Sequence, residues 1–549
     1  MNKPLLISLA TASLLLSNAH AESMHDRFQS MEKEMKRLQY EITELKKEQL
    51  VAENDEKEVE STSANDEDEE TSKSDDDEEE ESADEDEDEG SSDAKIAELE
   101  EIVADLEEDI EDINSRTSGN ALKFGVDFRS AVENLSYKMA DGETIGNDAL
   151  LTNRLWINMN WKANDNLSFT GQLAYNKAFG ARSGFGGAYP GFETFDWITN
   201  ENAYDDVVRV RSTYFLYRND TFLGSEVPWT FSVGRRPSTN GNLINLRDDD
   251  VASSPMGHTI NVEFDGLSAK FGFAELTGID GMYIKLCAGR GGTNANAKFF
   301  TVNPQTGTPN ISAPYATNDG DIPDIDLAGL IFVLYNDGQY KLGTQYYYAN
   351  NLIDANMMNT STGPVFMGMD NVGGMHSFTA NFKVDGIGNE INDFLDDTTL
   401  FISAAWSKTN PKSGGQGMLG SQDSEMGSSY WIGTQFPSLI SEEGRWGLEY
   451  NHGDKYWRSI TYAEDTNIGS KVAARGSAYE AYFTEPLIDD ILSLQVRYTY
   501  IDYDYTGSNG FFGSNTGTPI KISDLEGTPY ASVNVDTAQD IRLYIRYRY

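Results

Sequence analysis

The chain has 549 residues, with 42 basic against 90 acidic side chains and a formal charge of −48. That balance repels phosphate backbones and excludes nucleic-acid binding by charge attraction. The longest near-apolar run, Leu5 to Leu16, falls well short of the roughly 20 residues of a spanning helix, so helical transmembrane topologies are excluded. One Cys and five scattered His exclude a disulfide-stapled or zinc-organised fold. The 28 Tyr, 26 Phe and 49 Gly point instead to aromatic strands joined by Gly-containing turns.

In chain order, Lys3, the apolar stretch Leu5 to Leu16 and the small residues of Ala19-His20-Ala21 predict a secretory signal over 1–21. Met24, Phe28, Met31, Met35, Leu38, Ile42 and Leu45 then alternate spacings of four and three, which predicts a coiled coil over 22–52. A second heptad run over 94–116 carries Ile96, Leu99, Val103, Leu106, Ile110 and Ile113. A helix docked on its own domain would show the same stripe, and that alternative stays open. Between the two runs, residues 53–93 hold 24 acids and 2 lysines, a composition that cannot bury apolar surface and predicts a disordered spacer. Massed carboxylates attract Ca²⁺ or Mg²⁺ weakly, but no Gly-punctuated loop of fixed ligands is present, so no metal site and no cofactor are expected.

From residue 121 the period becomes two. Leu122, Phe124, Val126 and Phe128 alternate with Lys123, Gly125, Asp127 and Arg129; Leu155, Ile157, Met159 and Trp161 alternate with Arg154, Trp156, Asn158 and Asn160. One such strand also fits a soluble sandwich, so the order of connections has to discriminate. About sixteen strands are predicted over 121–549, from 121–132 and 150–161 to 491–503 and 539–549. Tight turns such as Ala163-Asn164-Asp165-Asn166 and Asn336-Asp337-Gly338 follow every second strand, and loops of about 16 to 37 residues follow the others. The predicted fold class is therefore all-β: a transmembrane antiparallel barrel of about sixteen strands, preceded by helical coiled-coil segments and an acidic linker. The last strand adds an apolar alternate set, Ile541, Leu543, Ile545, Tyr547 and Tyr549, resembling the terminal strand by which bacterial outer-membrane proteins are recognised for insertion by the barrel assembly machinery.

Trp446 to Tyr505, with Gly447-Leu448-Glu449-Tyr450-Asn451-His452-Gly453, Lys455-Tyr456-Trp457 and Tyr498-Thr499-Tyr500-Ile501-Asp502-Tyr503-Asp504-Tyr505, resembles a functionally uncharacterised porin-like family of bacterial outer-membrane proteins. Asn164 to Gly171 and Gly234 to Gly241 resemble it too. The resemblance covers about 121–549 and implies a barrel and passive transport, with no substrate attached.

With apolar sets facing lipid, Arg154, Arg209, Arg211, Arg236, Arg445, Arg497, Arg542, Arg546 and Arg548 fall on the lumen side, where a charge avoids the ~2 to 4 kcal/mol cost of the lipid midplane. Arg235 falls on the lipid parity, on the assumption that its strand has ended there. Asp248, Asp249 and Asp250 lie in the long loop after the fifth strand. By resemblance to general porins, that loop enters the lumen and opposes Arg209, Arg211 and Arg236 at a constriction, with Arg154, Arg445, Arg497, Arg542, Arg546 and Arg548 as lumen wall. The alternative for these charges is ionic networks inside a filled barrel, and sixteen strands favours an open lumen.

No enzyme signature is found. Gly289-Arg290-Gly291-Gly292 precedes no phosphate-binding helix pattern, nothing in the sequence orders His258, His376 and His452 into a catalytic set, and Cys287 reads as a barrel residue. The expected function is a porin for small hydrophilic solutes or ions in the outer membrane of a Gram-negative cell. Its expected partners are outer-membrane lipid, the barrel assembly machinery and further copies of itself, a trimer being favoured, with the N-terminal segment in the periplasm. The alternative is a non-conducting barrel that anchors the acidic arm to peptidoglycan or a partner.

Overall fold

A computed structural model of the protein describes residues 122–181, 202–293, 301–302, 309–310, 323–361, 363–388, 391–462 and 464–549, together with residues 33 and 36–38, which are helical. The expected signal (1–21), the acidic linker (53–93), the second coiled coil (94–116) and nearly all of the first (22–52) lie outside the described residues. The chain divides into two units, Met1–Ala121 and Leu122–Tyr549.

The second unit is a closed antiparallel barrel of sixteen strands, each paired with its chain neighbours. In chain order the strands are β1 Lys123–Met139, β2 Thr144–Lys162, β3 Leu167–Ala178, β4 Arg209–Asn219, β5 Trp229–Ser238, β6 Val262–Gly272, β7 Tyr283–Gly292 and β8 Ile325–Asn336. They continue as β9 Tyr340–Thr360, β10 Gly363–Asp385, β11 Thr399–Pro411, β12 Met426–Pro437, β13 Arg445–Gly453, β14 Gly476–Ile488, β15 Leu492–Tyr503 and β16 Val535–Arg548. Closure sets Phe128 opposite Tyr547 and Arg129 opposite Arg546, and the Val126 and Tyr549 backbones exchange both hydrogen bonds (2.6 and 2.8 Å). A closed barrel leaves no backbone group unpaired toward lipid, the condition for spanning with strands.

Every predicted strand has an observed counterpart, and both ends of the barrel lie at the short-turn rim. Two joins differ from expectation. The segments between β1 and β2 and between β9 and β10 were expected as long loops, but most of their residues continue the ladder, leaving connections at 140–143 and 361–362. Alternation weakens in these stretches because the hairpins extend past the band where one face must be apolar. Arg235 is a correction: β5 runs on to Ser238, so Arg235 lies inside a strand on the outward parity, beside its register partner Asp265 at 3.5 Å.

The tight turns form for local reasons. Asp337 accepts from the N–H groups of Gln339 (3.0 Å) and Tyr340 (2.6 Å), and Asn164 accepts from Asn166 and Leu167 (2.9 and 2.8 Å). Side-chain oxygens of this kind substitute for a backbone turn. On the outer face, Ile402, Ile432 and Leu448 are exposed between two aromatic belts. One belt, toward the short-turn rim, includes Tyr217 with Trp229 (5.4 Å), Tyr340 with Phe382 (6.4 Å) and Trp446 with Phe483 (4.7 Å). The other includes Tyr430, Tyr450, Tyr479 and Tyr500, neighbours at 5.0 to 6.4 Å. An apolar band between aromatic girdles matches a bilayer core and its two interfaces.

Candidate pore and its loop-lined lumen

Sixteen strands enclose more space than their own inward side chains fill, and long loops enter it. The loop between β5 and β6, the third connection at the rim opposite the short turns, pairs Gly241–Asn242 with Ser253–Met256 around one helical turn, Ile244–Arg247. The loop between β13 and β14, the seventh, meets it: Ile460 N–H donates to the Thr259 carbonyl, and Asn261 N–H donates to that of Ile460, both at 2.9 Å. Two glycines admit the seventh loop. A Cβ at Gly453 would lie 2.5 Å from the Trp457 ring, and one at Gly427 would collide with the Trp457 backbone nitrogen. Ile260, Leu352, Met375, Met418, Ile460 and Phe512 close over the loops as an apolar cluster inside the barrel.

On the side of β1, β2 and β13 to β16, the loops are fastened by ions. Asp465 of the seventh loop receives two hydrogen bonds from Arg129 (2.7 and 2.8 Å) and one from Arg154 (2.5 Å). Lys471 bridges Glu449 (2.6 Å) and Glu480 (2.5 Å), and Arg247 of the third loop meets Glu480 at 3.2 Å. Arg542 pairs with Glu133 at 3.3 Å, and Arg546 joins Asp127 to Asp250 (2.8 Å to the latter). Burying so many charges is tolerable only because each set is paired or neutralised locally. The exception on the same wall is the buried Arg497 guanidinium, which makes no hydrogen bond among the described residues.

The arginines and acids singled out from the sequence are distributed as follows. Asp248 accepts from the Tyr544 hydroxyl (3.1 Å), and its carbonyl accepts from Arg546 (2.7 Å) and Arg548 (2.6 Å). Asp249, exposed with a left-handed φ of 50°, offers its carbonyl to Arg548 at 2.9 Å. The acid run is thus brought together with Arg546 and Arg548, and not with Arg209, Arg211 or Arg236. Arg209 holds Asp205 at 2.6 Å through both nitrogens. Arg211 reaches Glu263 (3.2 Å), Gln172 and Thr239 (both 2.6 Å), and with Arg154 it sandwiches the Trp156 ring, at 4.3 and 3.5 Å. Arg236 lies 4.0 Å over the Tyr214 ring. Arg445 is exposed at the start of β13. Ile541, Leu543, Ile545, Tyr547 and Tyr549 all point outward and are exposed.

Sequence reasoning missed the seventh loop and its partners: Asp465, Lys471, Glu464 and Arg247. The faint signal was a loop carrying two acids and three cations among small residues, between Arg458 and Arg475. His258 was also underestimated. Its two ring nitrogens meet Ser403 and Ser429 at 2.9 Å, between the rings of Trp431 and Trp457. Burial pushes its imidazole down to about 3, so it stays neutral and fastens the third loop to β11 and β12. Among the described residues no group of His, Cys, Asp and Glu is arranged to hold a metal ion.

Away from the ion-locked wall, the lumen keeps a cavity of about 190 Å³ between β2 to β4 and the third loop, lined by Asn158, Asn160, Gln172, Arg211, Tyr214 and Thr239. It is polar and has room for several waters.

Among solved structures, the chain is similar to in-vitro folded OmpT, an outer membrane protein of Vibrio cholerae, at 11% identity and a TM-score of 0.41, over 79% of this chain and 98% of that one. It is similar to an anion-selective porin from Comamonas acidovorans (11%, TM-score 0.40, 78% and 100%) and to OprB of Pseudomonas putida (10%, TM-score 0.41, 80% and 96%). No curated protein matches the chain in sequence. Residues 144–549 match the family described as a protein of unknown function (DUF3373), and the chain belongs to that family, whose fold in this chain is a closed antiparallel barrel of sixteen strands.

Proposed function

We propose that the protein is an outer-membrane porin that passes small hydrophilic solutes or ions passively, through a lumen narrowed by its third and seventh loops. The observation that supports this most directly is the division of the lumen. One wall is locked by ion pairs, while the polar cavity along β2 to β4 is lined by amides, hydroxyls and arginine and not by apolar side chains. Polar lining lowers the barrier to a hydrated solute, and narrowness selects by size and charge. The constriction is formed by Arg211 and Arg236 facing the third loop, with Asp248 to Asp250 contributing through their fixed place beside Arg546 and Arg548.

The outward apolar band supports residence in the outer membrane of a Gram-negative cell, and the outward set Ile541 to Tyr549 supports a role as insertion signal for the barrel assembly machinery. The heptads support a periplasmic arm that assembles copies of the chain, three being favoured by porin symmetry. Purified protein in a planar bilayer tests the porin: stepwise single-channel currents are expected. A silent bilayer favours the second reading, a structural barrel that holds its acidic arm against peptidoglycan or a partner. The apolar cluster within the lumen is the observation in favour of that reading.

A further inference from the structure

We propose that the wall running from β5 to β9 is a binding track for small oxyanions such as inorganic phosphate, built on Arg236 of β5, Lys270 of β6, Lys285 of β7 and Lys341 of β9, and that it gives the pore an anion preference, a step that rests on the porin function above. Strand parity turns all four inward. On β6, Leu267, Ala269 and Phe271 take the lipid side and Ser268 and Lys270 the lumen; on β7, Leu286 faces lipid and Lys285 is buried.

Lys270 and Lys285 are direct register partners across the β6 and β7 ladder. Like charges set opposite one another destabilise a sheet, so the pair costs stability. Among the described residues no carboxylate forms an ion pair with any of the four. Their partners are neutral: Lys285 donates to the Ser254 hydroxyl at 2.8 Å, Lys341 donates to Asn242 Oδ1 at 3.2 Å, Lys270 lies 4.1 Å over the Tyr283 ring, and Arg236 lies 4.0 Å over Tyr214. The ion-locked wall is the opposite case, where nearly every cation meets an acid.

The groups lie within reach of one another's charge: Lys285 feels Arg236 and Lys270, and Lys341 feels Lys383, the Asp385 carboxylate and Lys270. Lys383 pairs with Asp385 and marks the short-turn end of the track. Arg236 stands opposite Phe264, six residues before Lys270 on β6, so the track covers about 20 Å of wall.

A second observation points to an anion. Among the described residues, the buried side-chain amide nitrogens of Asn242 and Asn381 find no acceptor, and the Asn381 side-chain oxygen finds no donor. Asn242 already gives its oxygen to Lys341. Asn381 stands opposite Gly343, two residues from Lys341. Ammonium groups without a carboxylate partner and amide nitrogens left free along one lumen wall suit an oxyanion, whose oxygens accept several charge-assisted hydrogen bonds.

The test uses the full chain in a planar bilayer under a KCl gradient, with inorganic phosphate as probe, against the Lys270→Gln/Lys285→Gln/Lys341→Gln triple variant. Wild type is expected to prefer chloride over potassium and to lose chloride current on phosphate addition. The variant should shift its reversal potential toward potassium and need about tenfold or more phosphate for the same block. Current with cation preference in wild type, or equal phosphate block in both, overturns the proposal. Calorimetry of phosphate binding to wild type in detergent reads the track without conduction or substitution. Binding heat in a protein that passes no current leaves the anion site standing and removes the porin, whereas current with no binding heat does the reverse.

Discussion

Asp465 sits between two guanidinium groups in the interior of the barrel, and its ionisation is coupled to how the seventh loop is held. Burial alone would raise its carboxyl, but Arg129 and Arg154 hold it well below the ordinary 3.8. Because the native value lies below the unfolded one, the stabilisation is fully present above about pH 4 and is lost as pH falls through the native value. Asp465→Asn leaves two buried arginines short of an acid and is expected to cost about 3–5 kcal/mol at pH 7. It should also flatten the acid limb of stability below pH 4, and urea unfolding followed by tryptophan fluorescence at pH 7 and pH 3 measures both. Asp248, Asp249 and Asp250 make a different case. Replacing all three with Asn removes the Asp250 carboxylate from Arg546 and frees positive charge inside the lumen, so the reversal potential should move toward anion preference, more at low salt. Asp249→Asn alone, at an exposed position whose contact to Arg548 is made by its backbone, is expected to do far less. The arginines were legible as lumen residues because parity assigns a face. Which acid each one meets was not, since Asp465 lies 336 residues from Arg129 in the chain.

At the scale of elements, barrel and loops separate cleanly. Each strand is held by two neighbours, and closure depends on β1 with β16, not on any loop. Deleting residues 459–473 and joining the ends with a short Gly-Ser link should therefore leave a heat-modifiable barrel while removing the bridge to the third loop. Single-channel conductance should rise several-fold, and an unchanged conductance would show that the seventh loop does not obstruct the path. The last strand carries its own prediction. Tyr549 is exposed at the end of the outward set, so Tyr549→Asp places a charge on the outward face of the last strand, against the proposed insertion signal. Fractionation should find this variant unassembled and depleted from the outer membrane. Strand positions were readable from period two because every strand must present one apolar face to lipid. The lengthened β1–β2 and β9–β10 hairpins were not, because beyond that band no lipid face imposes the alternation, and residues such as Leu352, Ile353 and Val372 pack against loop residues instead.

The whole molecule combines this barrel with an N-terminal portion of heptads and acids. If the heptads assemble copies of the chain, chemical cross-linking in isolated membranes should trap trimers of the full protein, and deletion of residues 22–116 should reduce them to monomers with the barrel still inserted. Trimers that persist after deletion would assign assembly to the outer face of the barrel instead.

By itself, the sequence determined the charge of the N-terminal portion, the sixteen alternating strands, the order of short and long joins, and the outward face of the final strand. Each of these follows from local composition or from a period that a bilayer imposes residue by residue. Only the tertiary structure decided what occupies the lumen: the pairing of Asp465 and Lys471 with distant strands, the apolar cluster around Ile460, and the four cations on β5, β6, β7 and β9 that form no ion pair among the described residues. Loops have no period, and the partner of a buried charge is set by which strands closure places across the barrel, a relation between residues hundreds of positions apart.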